Sequence, residues 1–93
     1  MTTYTDWLTT QPRDKVDAAI AKLTPEQLDN GNGEPRFALW LRLVDRRIGR
    51  AIGLGHRDIG DWTWYDAFEG GTSPGEAARE ALENDDTFGA LFG

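Results

Sequence analysis

The sequence predicts an all-α fold: a compact single domain of four to five helices around a central long helix at about residues 35–52. Apolar residues recur at spacings of three and four, proline and capping residues mark helix starts, and no stretch of four or more residues has the pattern of a strand. With 93 residues the chain is long enough for one domain and too short for two, so we assign residues 1–93 to a single helical domain.

The N-terminal third predicts short helical segments. Thr3 or Thr5 can cap a first short helix. Pro12 then suits the first position of a second helix, because its missing N–H costs nothing there. Residues 24–27 form a capping-box pattern that starts another helical turn, and the Gly- and Asn-rich stretch 29–33 predicts a turn.

The longest predicted helix runs from about Pro35 to Ala51 or Ile52. At 100° per residue it has one broad apolar face, formed by Phe37, Trp40, Leu41, Val44, Ile48, Ala51 and Ile52. The opposite side carries basic residues at every fourth position with two leucines beside them: Arg42, Arg46 and Arg50, then Leu39 and Leu43. An apolar pair on the polar side indicates either burial under another helix of the same chain or a contact surface.

Two further helices are predicted in the C-terminal third. Asp61 is a suitable N-cap for a short aromatic helix that ends in two glycines. Its aromatic residues are Trp62, Trp64, Tyr65 and Phe68. The last three share one face, which predicts core packing, whereas the first either covers the preceding loop or anchors a partner. Ser73-Pro74-Gly75-Glu76 then caps and starts a helix that runs to about Asn84, and residues 86–93 either fold onto the core or form a mobile or docking tail.

The charge is unevenly distributed along the chain. The net charge is −6. Residues 1–30 carry five acids and three bases, residues 31–57 carry two acids and six arginines, and residues 58–93 carry nine acids and one arginine. Either the basic middle and the acidic end attract each other within one fold, or one of them faces a charged partner.

The residue types exclude several kinds of chemistry. The absence of cysteine excludes disulfides, thiolate zinc sites and cysteine nucleophiles. The only serine, Ser73, has a structural use as a helix cap, and the only histidine, His56, lies in a Gly-rich loop with Asp58 as its candidate orienting acid. We therefore predict that the protein is not an enzyme and has no cofactor and no metal site.

Direct nucleic-acid binding is disfavoured despite a basic stripe. The stripe, formed by Arg42, Arg46, Arg47 and Arg50, has the electrostatic character of a small nucleic-acid footprint. The acidic C-terminal third, however, would repel phosphates. The converse hypothesis is that this acidic third mimics DNA and occupies a DNA-binding protein.

A protein-binding surface is the remaining hypothesis. Interfaces concentrate their binding energy in Trp, Tyr and Arg. The candidate contact residues are Trp62, Leu39, Leu43, Arg42, Arg46 and Arg50. The alternative is a structural or self-associating module in which Leu39 and Leu43 form a homodimer seam.

Several motifs between Ile52 and Asn84 resemble those of small accessory proteins encoded by bacteriophages of actinobacteria, mycobacteriophages among them. The motifs are Gly53-Leu54-Gly55, Asp61-Trp62, Phe68-Glu69-Gly70-Gly71 and Ser73-Pro74-Gly75-Glu76-Ala77-Ala78. The Arg-, Asp-, Ala- and Gly-rich, lysine-poor composition also fits a GC-rich genome. The resemblance implies a non-enzymatic protein that binds a host bacterial protein and modulates or inhibits it, with transcription proteins, replication proteins or a DivIVA-type scaffold as targets.

The sequence also predicts a cytoplasmic location in the infected bacterial cell. Residues 1–4 show no basic segment followed by an apolar run, which a secretory signal requires. No apolar run approaches the ~20 residues that cross a bilayer, so we expect no membrane span.

Overall fold

The computed structural model describes residues 6–53, 55–56 and 63–84 of the chain. Within these ranges a short 3-10 helix, Trp7–Thr10, precedes five α-helices. They are α1 (Arg13–Ala21), α2 (Pro25–Asn30), α3 (Pro35–Ile52), α4 (Trp64–Glu69) and α5 (Pro74–Asn84). No strand occurs in the described ranges, and the predicted all-α single domain is confirmed. Five sequence predictions lie outside the described residues: the caps Thr3 and Thr5, the candidate orienting acid Asp58, the N-cap Asp61, Trp62 as a contact residue, and the tail 86–93.

Helix α3 is the centre of the domain because one stretch of it is buried on every side. The stretch is residues 37–41, which are each at most 4% exposed. Further along the helix, Val44 and Ile48 are both 0% exposed, whereas Arg46, Arg47 and Arg50 are exposed. Pro35 begins the helix, and Gly53 ends it in the left-handed conformation with a φ of 74°. The predicted bounds of this helix are therefore confirmed.

Helix α5 makes the most extensive contact with α3. Its buried face consists mainly of small residues, which let two helices approach closely: Pro74, Ala77, Ala78, Ala81 and Leu82. At its start the hydroxyl oxygen of Ser73 accepts the backbone N–H of Glu76 at 3.2 Å. The predicted cap of this helix is thus present.

Helix α2 packs against α3 through a glycine. The start of α2 has a complete capping box, in which Thr24 Oγ1 accepts the N–H of Gln27 and Gln27 Oε1 accepts the N–H of Thr24. At its end, Gly31 lies so close to Ala38 of α3 that a Cβ on Gly31 would be 2.6 Å from the Ala38 Cα. The φ of Gly31 is −92°, which any residue adopts. Glycine is therefore required here by the close approach of the two helices and not by the backbone conformation.

Helix α4 differs from its prediction in two respects. It begins at Trp64 with Thr63 as its N-cap residue, two positions later than the predicted N-cap Asp61. Phe68 is buried and Trp64 is half-buried against the core, but Tyr65 is 40% exposed. The prediction that these aromatics all belong to the core is wrong for Tyr65, because its hydroxyl group interacts with the carboxylates of Glu69 and Glu34.

Trp40 connects α3 to the segment between α4 and α5. The side chain is 0% exposed, and its ring N–H donates to the carbonyl oxygen of Thr72 at 2.9 Å. The rings of Trp64 and Phe68 lie against it, with ring centroids 6.3 and 5.9 Å from that of Trp40. The hydrogen bond satisfies the one polar atom of a buried indole and fixes the start of α5 relative to α3.

A bidentate ion pair fastens the N-terminal segment to α3. Arg36 Nε and Nη2 donate to the two carboxylate oxygens of Asp6 at 3.0 and 2.7 Å. The Asp6 side chain is only 13% exposed, and the hydrogen bond to this carboxylate raises the pKa of Arg36. Leu8, 2% exposed, enters the core just after this pair. Together these contacts place Trp7 beside the central helix.

Candidate protein-binding groove

A groove of about 420 Å³ opens between the C-terminal half of α3, the 3-10 helix and the start of α5. We call it the arginine groove. Its lining residues are Trp7, Leu43, Arg46, Arg47, Arg50, Ser73, Pro74 and Gly75. It is therefore built from three parts of the chain that are distant in sequence.

The four α3 residues of the groove share one face of the helix because of their spacing. Arg46, Arg47 and Arg50 follow Leu43 by three, four and seven positions, and residues so spaced lie on the same side of an α-helix. Leu43 is half-buried and packs against the core, whereas the three arginines are exposed. The face thus joins an apolar surface to three cationic side chains.

The arginines of the groove differ from three other arginines in their contacts with carboxylates. Elsewhere three arginines lie within ion-pair distance of a carboxylate, in the pairs Arg13–Asp17, Arg36–Asp6 and Arg79–Glu83. Among the described residues, no carboxylate lies within that distance of Arg46, Arg47 or Arg50. Like charges four positions apart destabilise a helix by about 0.2–0.5 kcal/mol, so Arg46 and Arg50 oppose each other. Arg50 alone gains from lying in the last turn, where the helix dipole favours a cation.

The start of α5 forms the side of the groove opposite the arginines of α3. Pro74 is buried, and the Ser73 hydroxyl oxygen already accepts the Glu76 N–H. A Cβ on Gly75 would lie 3.5 Å from Cζ of Arg47. The Arg47 guanidinium therefore rests beside the Gly75 backbone, and a larger side chain at position 75 would occupy space in the groove.

The six predicted contact residues fall into four groups, according to where the structure places them. Leu43, Arg46 and Arg50 come together in the arginine groove. Arg42 is half-buried and does not line it. Leu39 is 2% exposed and belongs to the core, so it offers no surface to a partner. The reason is that other helices of the same chain enclose residues 37–41 of α3. Trp62 lies outside the described residues.

Sequence reasoning left three parts of the groove out of the predicted contacts. Arg47 lies four positions after Leu43, so helical spacing alone could have included it. Trp7 and the Ser73–Gly75 segment reach the groove only through the packing of the 3-10 helix and α5 against α3. No local sequence pattern could have placed them there.

His56 contacts a carboxylate other than Asp58, its candidate orienting acid in the sequence. Its backbone N–H donates to Asp45 Oδ1 at 2.7 Å, and its ring Nδ1 lies 2.6 Å from the same oxygen. The side chain is 11% exposed, and its ring meets that of Trp64 edge-on. This carboxylate of α3 therefore holds the segment that follows the helix. Asp58 lies outside the described residues.

The one serine and the one histidine of the chain are both held in structural contacts. The hydroxyl of Ser73 serves as a helix cap, and the imidazole of His56 is bound to Asp45. No group of three or more potential metal-ligating residues occurs in ranges 6–53, 55–56 and 63–84. The arginine groove combines apolar and cationic side chains on one concave surface, which suits it to binding a protein segment.

A second polar cluster is acidic and consists of Tyr65 with Glu69 and Glu34. A hydrogen bond to the Glu69 carboxylate raises the pKa of Tyr65 to about 12, with further contributions from burial and from the charge of Glu34. The ring of Tyr65 meets that of Phe37 edge-on, with ring centroids 5.0 Å apart. The phenol is thus held between the core and two carboxylates.

Fold and site together define a small all-α protein with an arginine-rich groove, and no helix of the described ranges is long and apolar enough to cross a membrane. Two mycobacteriophage proteins are similar to it. The Gene 87 protein of Mycobacterium phage D29 is 41% identical over 49 residues, which are 53% of this chain and 91% of that protein. The Gene 87 protein of Mycobacterium phage L5 is 37% identical over 49 residues, 53% of this chain and 92% of that protein.

The chain therefore belongs to the family of mycobacteriophage Gene 87 proteins. The predicted relationship to mycobacteriophage proteins is confirmed, while the names of these relatives state no activity. No protein-family model and no solved structure matches the chain.

Proposed function

We propose that this protein is a small non-enzymatic phage protein that binds a host bacterial protein in the cytoplasm of the infected cell and modulates or inhibits it. The arginine groove is the observation that carries the proposal. It brings Trp7, Leu43 and three arginines together, and no described carboxylate neutralises those arginines. Aromatic residues and arginine are the types in which the binding energy of interfaces concentrates.

The family supports a host protein as the partner. A mycobacteriophage protein acts among the proteins of the bacterium that its phage infects, and this chain's relatives come from mycobacteriophages. Transcription proteins, replication proteins and a DivIVA-type scaffold remain the candidate targets. A stable interface buries about 800 Å² on each partner, which exceeds what one groove offers. Arg42 and Trp62 therefore remain predicted contact residues, in addition to those that line the groove.

Affinity capture from a mycobacterial lysate tests this proposal. The baits are the wild-type protein, the groove variant Arg46→Gln/Arg47→Gln, and a control variant Arg13→Gln/Arg79→Gln that loses the same charge elsewhere on exposed helix surface. We expect one host protein to be enriched on the wild type and the control and depleted on the groove variant. A folded wild-type bait that enriches no host protein would contradict the proposal.

Self-association through a leucine seam has lost support as the alternative. The predicted homodimer seam needs both Leu39 and Leu43 at the surface, but Leu39 is enclosed within the chain. Analytical ultracentrifugation of the wild type and Leu43→Ser distinguishes the two functions. A monomeric wild type agrees with host binding, whereas a dimer that Leu43→Ser dissolves would favour the seam.

A further inference from the structure

We infer that the arginine groove binds a short acidic segment of the protein partner, in which carboxylates flank an apolar side chain. This inference rests on the proposed function and adds the chemistry of the partner. It follows from the charge of the groove, from its apolar residues, and from the charge of the surrounding chain.

The arginine side chains of the groove favour a partner segment that carries carboxylates. Arg46, Arg47 and Arg50 lie on one face of α3, and no described acidic residue lines the groove with them. A guanidinium group has a planar set of N–H donors that matches a carboxylate in a bidentate arrangement. The pair of Arg36 with Asp6 in this same protein has that form. Two or three carboxylates of a partner would form ion pairs of the same kind with the arginines of the groove.

The apolar residues of the groove favour a partner segment that carries an apolar side chain. Trp7 and Leu43 are both half-buried, and each packs against the core while also lining the groove. Pro74 adds a further apolar surface on the α5 side. An isolated phosphate or other small anion would leave these surfaces uncovered. A peptide segment with one apolar residue between its carboxylates would cover them.

The rest of the chain argues against a nucleic acid as the occupant. The protein has a net charge of −6, and α5, which borders the groove, carries Glu76, Glu80 and Glu83. A nucleic acid extends its phosphates far beyond a groove of about 420 Å³. Those phosphates would meet the acidic surface around it. A short acidic peptide places its charge within the groove alone.

Fluorescence anisotropy with defined probes tests the inference. The probe is a fluorescein-labelled peptide of Asp and Glu with one leucine in its middle. The matched control peptide has Asn and Gln in place of the acids, and a labelled single-stranded oligonucleotide of similar length represents nucleic acid. The proteins are the wild type, the groove variant Arg46→Gln/Arg47→Gln, the control variant Arg13→Gln/Arg79→Gln, and Gly75→Leu, which occupies part of the groove beside Arg47 and keeps every charge.

The expected pattern is specific to the groove. The acidic peptide binds the wild type and the control variant alike, and it binds the groove variant about two- to thirtyfold more weakly, since two exposed ion pairs are lost. Gly75→Leu loses binding although all arginines remain. The amide peptide does not bind, and the affinity of the acidic peptide falls as salt is added. Circular dichroism confirms that each variant is folded.

Three results would overturn the inference. The first is that the acidic peptide fails to bind the wild type, and the second is that it binds the groove and control variants equally. The third is that the oligonucleotide binds the wild type more tightly than the peptide does and no longer binds the groove variant.

The capture experiment separates these failures from failure of the proposed function. A host protein retained equally by the wild type and the groove variant keeps the proposed function and refutes the groove. Peptide binding without any captured host protein keeps the chemistry of the groove and refutes the proposed function.

Discussion

Replacing Gly31 by alanine is expected to be among the most damaging single-methyl changes in this domain. The added Cβ would lie 2.6 Å from three atoms of Ala38, namely its N, Cα and Cβ. Carbon atoms in contact are about 3.5–4.0 Å apart, so α2 and α3 would have to separate locally by about 1 Å. Ala38 is 1% exposed and sits within the buried stretch of α3, which leaves it little room to move.

The size of the effect follows from two opposing contributions. Overpacking a buried contact costs about 1–3 kcal/mol and occasionally more, and two of the three contacted atoms are backbone that cannot rotate away. The reduced freedom of the unfolded chain returns about 0.4–1 kcal/mol. Because the clash is with rigid backbone, we take the upper end of the cost and expect Gly31→Ala to lower the free energy of unfolding by about 2 kcal/mol. For a chain of this length that lowers the melting temperature by about 8–16 °C.

Thermal and urea unfolding, followed by circular dichroism, measures the effect, and Gly33→Ala is the matched control. Gly33 has a φ of +79°, but nothing lies within 4 Å of the position that a Cβ would take, so its alanine variant bears backbone strain of about 1 kcal/mol and no clash. If Gly33→Ala is more destabilising than Gly31→Ala, the argument from helix approach is refuted. Combining Gly31→Ala with Ala38→Gly should restore little stability, because the backbone contacts remain.

Three further predictions concern polar contacts. Ultraviolet absorbance of the phenolate should show that Tyr65 titrates with a pKa of about 12, and the variant Glu69→Gln should lower that pKa. Because the pKa of Tyr65 is raised in the folded state, the protonated phenol stabilises the fold fully below about pH 10. This stabilisation is lost as the pH rises through about 12. A double-mutant cycle of Asp6→Asn and Arg36→Gln, read by urea unfolding, should give a coupling of about 1 kcal/mol, because the arginine is partly exposed; additive losses would refute it. Trp40→Phe should lower the free energy of unfolding by about 1–3 kcal/mol, since a carbonyl group loses its donor, and an unchanged melting curve would contradict this.

The elements of the fold that the sequence predicts well depend on neighbouring residues. The start of α2, the start of α5 and both ends of α3 are each set by capping residues, prolines or glycines within a few positions. Such signals act through local backbone geometry, so they can be found in the sequence alone. The start of α4 lacks a side-chain cap, and there the predicted start is two residues early.

The features that sequence could not predict depend on contacts between distant segments. Leu39 lies beside the arginines in a helical projection, yet packing of other helices buries it. Sequence proximity pairs His56 with Asp58, but its partner Asp45 belongs to α3. The groove brings Trp7 and Gly75 to Arg47 through tertiary packing. Half of the predicted contact residues lie in the groove because helical spacing places them on one face.

The most direct test of the binding role of the arginine groove is a ¹⁵N NMR titration of the wild-type protein with the acidic peptide. We expect the largest chemical-shift changes in signals from residues that line the groove, namely the indole N–H of Trp7 and the backbone amides of Leu43, Arg46, Arg47, Arg50, Ser73 and Gly75. The amides of α2, which do not line it, should change little. Shift changes concentrated away from the groove, or no change at saturating peptide, would show that these arginines do not form the binding surface.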